Sequence, residues 1–286
     1  MNTCKNTCLG HDYLKFVLVS DIHLIHEGDG EGLSRKFTAN KNLPTTLELF
    51  SQIVNDEIKP DFIVDLGDRI IDLNKQYDIE HTLQVFQAVD GSVTCPVFHI
   101  DGNHDIINLS KEELSELLHN PMLPYTVLFN GWKLIFLDSH DPMLDKCGGE
   151  LSDSQLKWLS NEMNCDDLPK LVFSHHPLNQ HYIDRNLCIP SKFYPLMMLQ
   201  NKEMVKSILE TGKNFVSHAS GHLHFWGLRA SSNGTYLVNP PLSVLYPNDE
   251  STPGYFMEVY AWKDGRVDCL VHSVNPRRVE GSFSNR

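Results

Sequence analysis

At 286 residues, with 41% apolar and 21% charged side chains, the chain has the composition of a well-cored globular protein of one or two domains. A formal charge of −13 excludes a surface built to track duplex phosphates, which needs clustered Lys and Arg, and suits a small anionic substrate held by bound cations. Seven cysteines, an odd number scattered over the chain, do not form a disulfide framework, and no apolar run reaches the roughly 18 to 20 residues that span a bilayer.

Residues 1–13 are polar, lack the apolar stretch and cleavage site of a secretory signal, and read as a flexible tail in a cytoplasmic protein. Cys4 and Cys8 have no downstream partner pair with which to bind a metal. A strand is predicted over 16–19, followed by a helix over 45–58 whose Leu47, Leu49, Phe50 and Ile53 fall close to helical spacing. A strand over 62–66, a helix over 79–89 and a strand over 96–100 complete a β-α-β-α-β order, the signature of a layered α/β fold. Ser110, with Glu113 three residues on, opens a helix as a capping box.

The middle of the chain turns more sheet-like. Asn130-Gly131 between apolar runs at 125–129 and 133–137 predicts a hairpin, and Lys263-Asp264-Gly265 predicts a second between 255–262 and 266–273. Between them, Ser152 caps a helix through Trp158 and Leu159, a strand covers 171–174, a helix 202–209 and a strand 215–219. Residues 276–286 read as a C-terminal tail, which leaves one domain over 14–275.

Five short blocks each place a carboxylate, an imidazole or a carboxamide just after a strand-like run: Asp21-Ile22-His23, Gly67-Asp68, Gly102-Asn103-His104-Asp105, His175-His176-Pro177 and Gly221-His222-Leu223-His224. Donors at the carboxyl ends of several strands converge on one crevice in an open α/β sheet, and seven oxygen and nitrogen donors suffice for two metal ions. One buried histidine alone is more often a hydrogen-bonded core residue than a ligand; the joint pattern reverses that reading.

This order of blocks resembles the calcineurin-like metallophosphoesterases, over 21–224, about two-thirds of the chain. The resemblance implies an α/β fold of four layers, an α/β/β/α sandwich with two packed mixed β-sheets flanked by helices. It also implies a ligand set: Asp21, His23 and His224 on one metal, Asn103, His175 and His222 on the other, and Asp68 bridging both. Imidazole and carboxylate donors without thiolate suit Mn, Fe, Co or Zn more than Ca or Mg.

In the family, the histidine corresponding to His104 lies near the leaving-group oxygen, where it can donate a proton. Family members commonly place an acid three residues after the bridging aspartate; here that position is Ile71 and Asp72 follows, which leaves the partner of His104 open. Arg69 either clamps a phosphate or neutralises Asp72. The family's histidine ligand stands two residues before the proline, which selects His175 and leaves His176 as its support or a substrate contact. His26, His140 and His218 are expected to pack or face water, Asp101 and Asp105 to cap the turn at Gly102, and Asp65 to accept from a backbone donor.

Departures from particular branches narrow the choice. Protein serine/threonine phosphatases carry Gly-Asn-His-Glu, where this chain has Asp105, and purple acid phosphatases supply a tyrosine where Ile71 stands. What remains is similar to cyclic-nucleotide phosphodiesterases and, through residues 148–159, to manganese-dependent ADP-ribose and CDP-alcohol diphosphatases. The segment 178–214 carries Tyr182, Phe193, Tyr194, Met197 and Met198, either a stacking wall for a nucleobase or a hydrophobic cluster under a loop, with Arg185 and Lys192 in reach of a second phosphate.

The expected activity is dinuclear-metal hydrolysis of a phosphodiester or pyrophosphate bond in a nucleotide-like small molecule, by in-line attack of a metal-bound hydroxide with His104 assisting departure. Phosphomonoesterase, single-strand nuclease and inactive scaffold are the alternatives; no duplex nucleic acid or membrane partner is expected, and the oligomeric state is open.

Overall fold

The computed structural model describes residues 12–25, 43–144, 147–179, 197–243 and 253–286. Among them the first half runs β1 (Tyr13–Val19), α1 (Leu43–Ile53), β2 (Phe62–Asp65), α2 (Lys75–Val89), β3 (Val97–His99) and α3 (Lys111–Leu117). Then come the hairpin β4 (Tyr125–Phe129) and β5 (Trp132–Phe136), and the short strands β6 (His140–Asp141), β7 (Met143–Leu144) and β8 (Gly148–Leu151). The remainder is α4 (Asp153–Asn164), β9 (Lys170–Phe173), α5 (Lys202–Thr211), β10 (Phe215–Ser220), β11 (Gly227–Ala230), β12 (Thr235–Val238), β13 (Tyr255–Trp262), β14 (Val267–Ser273) and β15 (Arg278–Ser284).

Two six-stranded sheets are ordered β15-β14-β13-β1-β2-β3 and β11-β12-β10-β9-β5-β4. Both are mixed: β1, β2 and β3 run parallel while β13 is antiparallel to β1, and β5, β9, β10 and β12 run parallel with β4 and β11 antiparallel at the edges.

Period-two alternation sorts the apolar residues into three layers of contact. Phe16, Leu18, Phe62 and Val64 face Leu134, Phe136, Leu171 and Phe173 in the core between the sheets. Their strand neighbours Val17, Val19 and Ile63 face outward onto Leu47 and Phe50 of α1 and Val85 and Val89 of α2. On the far side, Ile135, Leu137 and Val172 cover Leu156, Leu159 and Met163 of α4 and Val205 and Leu209 of α5. This is the four-layer α/β/β/α sandwich that the resemblance implied. Four of the five strands bearing the motif blocks, β1, β2, β9 and β10, lie inside their sheets and β3 lies at an edge, and each fully buried Leu, Ile or Phe on them contributes about 1.5–3 kcal/mol.

Local signals mark the element ends. Asn74 caps α2 by accepting from the backbone of Gln76 and Tyr77, which starts that helix earlier than the periodicity at 79–89 suggested. Ser110 and Glu113 form the expected capping box on α3, and Ser152 caps α4. The expected helix over 45–58 divides: α1 ends at Ile53 and a π-helical turn over Val54–Ile58 closes on Lys59 in the left-handed region.

The C-terminal boundary needs correction. Residues 276–286 are not a tail, because β15 pairs antiparallel with β14, Asp268 opposite Ser284 and Leu270 opposite Ser282. Its polar pattern fits an edge strand facing water, which is why no apolar periodicity announced it. Residues 1–11 of the expected N-terminal tail, with Cys4 and Cys8, lie outside the described residues, as does His26. Among the described helices none is long and apolar enough to cross a membrane.

Candidate metal centre

All five motif blocks meet at the carboxyl ends of the central strands. Asp21 and His23 follow β1, Asp68 follows β2, Asn103 and His104 follow β3, His175 follows β9, and His222 and His224 follow β10. The turns are stitched to one another through the backbone: Asp21 N donates to Gly67 O at 3.0 Å, His23 N to Asp68 O at 3.0 Å, and Gly221 N to His175 O at 3.1 Å. The amide of His222 donates to the Asp21 carboxylate at 3.1 Å, tying one sheet to the other.

Space between the Asp68 and Asn103 turns is very small. Gly67 sits at φ +93° with its Cα against the backbone of Gly102, and a Cβ on Gly102 would run into the backbone nitrogen and carboxylate of Asp68. Five donors, Asp21, His23, Asp68, His222 and His224, lie in the left-handed region at φ between 47° and 69°. Non-glycine residues held there cost roughly 1–3 kcal/mol each, and such strain gathers at functional sites.

The side chains close into two groups that share Asp68. One donor atom from each of Asp21, His23, Asp68 and His224 lies within 4.8 Å of every other, and so do donors from Asp68, His175 and His222. Asn103 joins the second group, its Oδ1 3.2 Å from His175 Nε2. The remaining distances are as tight: His23 Nε2 to His224 Nε2 3.1 Å, His224 Nε2 to Asp21 Oδ1 3.2 Å, and His175 Nε2 to His222 Nδ1 3.1 Å. Except for His224, at 17% exposure, these side chains are buried.

Electrostatics keep Asp21, His23, Asp68 and His222 in the forms that offer lone pairs. Burial would raise Asp21 and Asp68, but His224 opposite Asp21, and His175, His104 and His23 around Asp68, hold both carboxyls below the ordinary range, Asp68 well below. Burial pushes His23 down to about 3, and burial with His176 and His175 holds His222 well below its usual value. Burial also disfavours charge on His175, yet the Asp68 carboxylate and its hydrogen bond carry it up to about 9. His175 Nδ1 donates to Leu66 O at 2.8 Å, so Nε2 is the nitrogen that faces the cage.

Two metal ions fit this donor set. Imidazole nitrogens face each other at 3.1 Å in both groups, an arrangement that a shared proton or cation must stabilise, and Asp68 alone belongs to both. Oxygen and nitrogen donors without sulfur suit Mn, Fe, Co or Zn.

Beside the cage, the His104 ring stands edge-on to His23 with centroids 5.1 Å apart. The open question of its partner is answered by Asp72, whose Oδ1 lies 2.6 Å from His104 Nδ1. A turn after Asp68 that is one residue longer than the usual spacing still brings an acid to the imidazole. Asp68 and Asp72 raise the His104 imidazole above its ordinary value although burial opposes this.

Two of the expected substrate contacts, Arg69 and His176, are buried and bonded to protein groups. Arg69 is 1% exposed and pairs with the buried carboxylates of Asp65 and Asp105. His176 is fully buried with both nitrogens engaged, Nδ1 with Ser139 Oγ at 2.9 Å and Nε2 with Cys147 O at 3.1 Å. Asp105 does accept from Gly102 N, and Asp65 from Gly67 N, as expected. His140, expected to pack or face water, is buried with its ring 4.8 Å from that of His176, and His218 is buried against Ser174 Oγ at 2.7 Å.

Of the expected specificity segment, Tyr182, Arg185, Lys192, Phe193 and Tyr194 lie outside the described residues. Met197 and Met198 are buried in a hydrophobic cluster with Leu223 and Val238.

The family model described as calcineurin-like phosphoesterase matches residues 14–225, a span that contains all seven donors. The chain belongs to the calcineurin-like phosphoesterase family. Among its relatives is a protein of Psychrobacter sp. (strain PRwf-1) described as a probable cyclic nucleotide phosphodiesterase, 24% identical over 72% of this chain and 61% of that protein, so the chain spans less than two thirds of that relative's length. A manganese-dependent ADP-ribose/CDP-alcohol diphosphatase of Homo sapiens is 21% identical over 78% of this chain and 81% of that one. Among solved structures, a dimetal phosphatase from Danio rerio shares the fold with a TM-score of 0.71 at 18% identity, covering 95% of this chain and 98% of the other.

Proposed function

We propose that this calcineurin-like phosphoesterase hydrolyses a phosphodiester or pyrophosphate bond of a nucleotide-like small molecule. The observation that carries the reading is the convergence of two donor groups on the shared carboxylate of Asp68, with the His104–Asp72 pair alongside. Relatives described as acting on cyclic nucleotides and on ADP-ribose or CDP-alcohols support the substrate class.

In this reading Asp21, His23 and His224 hold one ion, Asn103, His175 and His222 the other, and Asp68 spans both. Two such ions, when bound, neutralise phosphoryl oxygens and activate a water nucleophile. Asn103 adds a neutral oxygen donor, which keeps further negative charge away from an anionic substrate. Asp72 accepts a hydrogen bond from His104 Nδ1–H, which orients the ring and favours its protonated form and leaves Nε2–H to donate to the departing oxygen. Arg69 and His176 hold ligand loops in place and touch no substrate. Manganese is the first ion to test, given the donor set and the name of the human relative.

The formal charge of −13 weighs against a nuclease, and the complete donor set against an inactive scaffold. The domain of this proposal runs from 14 through β15 rather than ending at 275. A cytoplasmic setting belongs to it too, consistent with Cys95, Cys165 and Cys269 being free thiols among the described residues. The deciding experiment is a hydrolysis panel in Mn²⁺ comparing cyclic nucleotides, ADP-ribose, CDP-alcohols and simple monoesters. Turnover of a diester or pyrophosphate with little monoesterase activity is the expected result; monoesters alone would refute the substrate class.

A further inference from the structure

A dense network of hydrogen bonds among the described residues adjoins the donor set. Asp105, fully buried, accepts through Oδ2 from Asp68 N at 2.9 Å and Gly102 N at 2.8 Å, and through Oδ1 from Arg69 N at 2.9 Å. Arg69 Nη1 adds a charge-assisted bond to Oδ2 at 2.9 Å, while Nη2 donates to Ile100 O at 2.8 Å. One carboxylate and one guanidinium therefore grip both the β2 turn that carries Asp68 and the β3 turn that carries Asn103 and His104. In return, Asp68 Oδ1 accepts from His104 N at 2.9 Å.

The guanidinium is itself held in place. Its Nε side faces Asp65 Oδ2 at 2.5 Å, and Asp65 is fixed by Gly67 N at 3.1 Å and His99 Nδ1 at 3.0 Å. His99 Nε2 in turn reaches Asp90 Oδ1 at 2.9 Å. This chain of contacts runs from α2 into the base of the cage and ends on a residue at φ 58°, a backbone conformation that needs holding.

We propose that Arg69, acting through Asp105, is a positioning residue that sets the orientation of Asp68 between the two metal groups and its distance from Asn103. The proposal rests on the reading of Asp68 as the shared ligand of two ions. A planar fork donates to Asp105 and Ile100 O in fixed directions while its charge stands against Asp65, which a lysine ammonium on a flexible stem does not do. Supports of this kind are worth 10- to 100-fold in metal affinity or activity in metal sites generally.

The test uses Arg69→Lys and Asp105→Asn in the full chain, with Mn²⁺ as the probe. Calorimetry measures the affinity of each ion, and electron paramagnetic resonance reads the exchange coupling of a dimanganese pair. The expected result is a 10- to 100-fold weaker second ion and loss of the coupled signal in folded protein, with Arg69→Lys no better than partial despite its retained charge. A merely structural role would lower the melting temperature and leave both readouts intact; folded variants with wild-type affinity and coupling overturn the proposal. Should both variants fail to fold, His99→Gln, which disturbs the contacts to Asp65 and Asp90 and leaves Arg69 and Asp105 in place, must weaken the second ion, and unchanged affinity there overturns it equally. Wild-type protein that takes up fewer than two Mn²⁺ would instead refute the dinuclear reading itself.

Discussion

Asp68 carries more geometric constraints than any other donor: a left-handed backbone, a place in both donor groups, and a neighbouring turn packed against it at Gly102. Replacing Gly102 with Ala forces that turn away, and the expected outcome is a folded protein with less than two equivalents of bound Mn²⁺ and depressed turnover, measured by metal analysis after gel filtration. At His104 the expectation is different. His104→Asn should keep its metal content and lose about 10²- to 10⁴-fold in kcat, with Asp72→Asn losing less; equal loss of metal and activity would move His104 from proton donor to ligand support. The seven donors were legible in the sequence because each stands beside a glycine, a proline or a second donor just after an apolar run. The role of Arg69 was not, because its partners Asp65 and Asp105 come from the end of β2 and from the next turn, and spacing alone does not reveal who pairs with whom.

At the level of elements, the pair linking β2 and β3 gives the stability a definite dependence on pH. Burial opposes charge on both groups, but Arg69 and His99 hold Asp65 below its ordinary value, and Asp65 and Asp90 raise His99 above its own. A raised histidine stabilises the fold fully below its unfolded value near 6.5, and that contribution fades as pH climbs through the folded value. His99→Gln should therefore cost most at pH 5 to 6 and progressively less at alkaline pH, read from denaturant midpoints across that range. A constant gap would mean that His99 acts by packing alone. Asp65 behaves oppositely, its contribution present above about pH 4 and lost in acid. Central strands and capped helices were readable from periodicity and from Ser110, Ser152 and the Asn130-Gly131 turn. The short strands β6 to β8, the edge pair β11 and β12, and the π-helical end of α1 were not, being too brief or too polar for a periodic signal.

For the whole molecule, the two sheets are held together by the aromatic and aliphatic core and by the C-terminal residues. Asn285, beyond β15, accepts from Val267 N at 2.9 Å and donates to Thr235 Oγ1 at 2.8 Å, one contact on each sheet. Truncation after 276 is expected to lower the melting temperature and to promote self-association, because it bares the edge of β14; a truncated chain as stable and monodisperse as the parent would restore the reading of this segment as a tail.

The central claim is that side chains from five strand ends form one cage for two ions. Anomalous diffraction at the manganese edge from crystals soaked in Mn²⁺ tests it most directly. Two peaks are expected, the Asp68 carboxylate in contact with both, Asp21, His23 and His224 around one, and Asn103, His175 and His222 around the other. A single peak, or peaks that leave Asp68 uncoordinated, would contradict it.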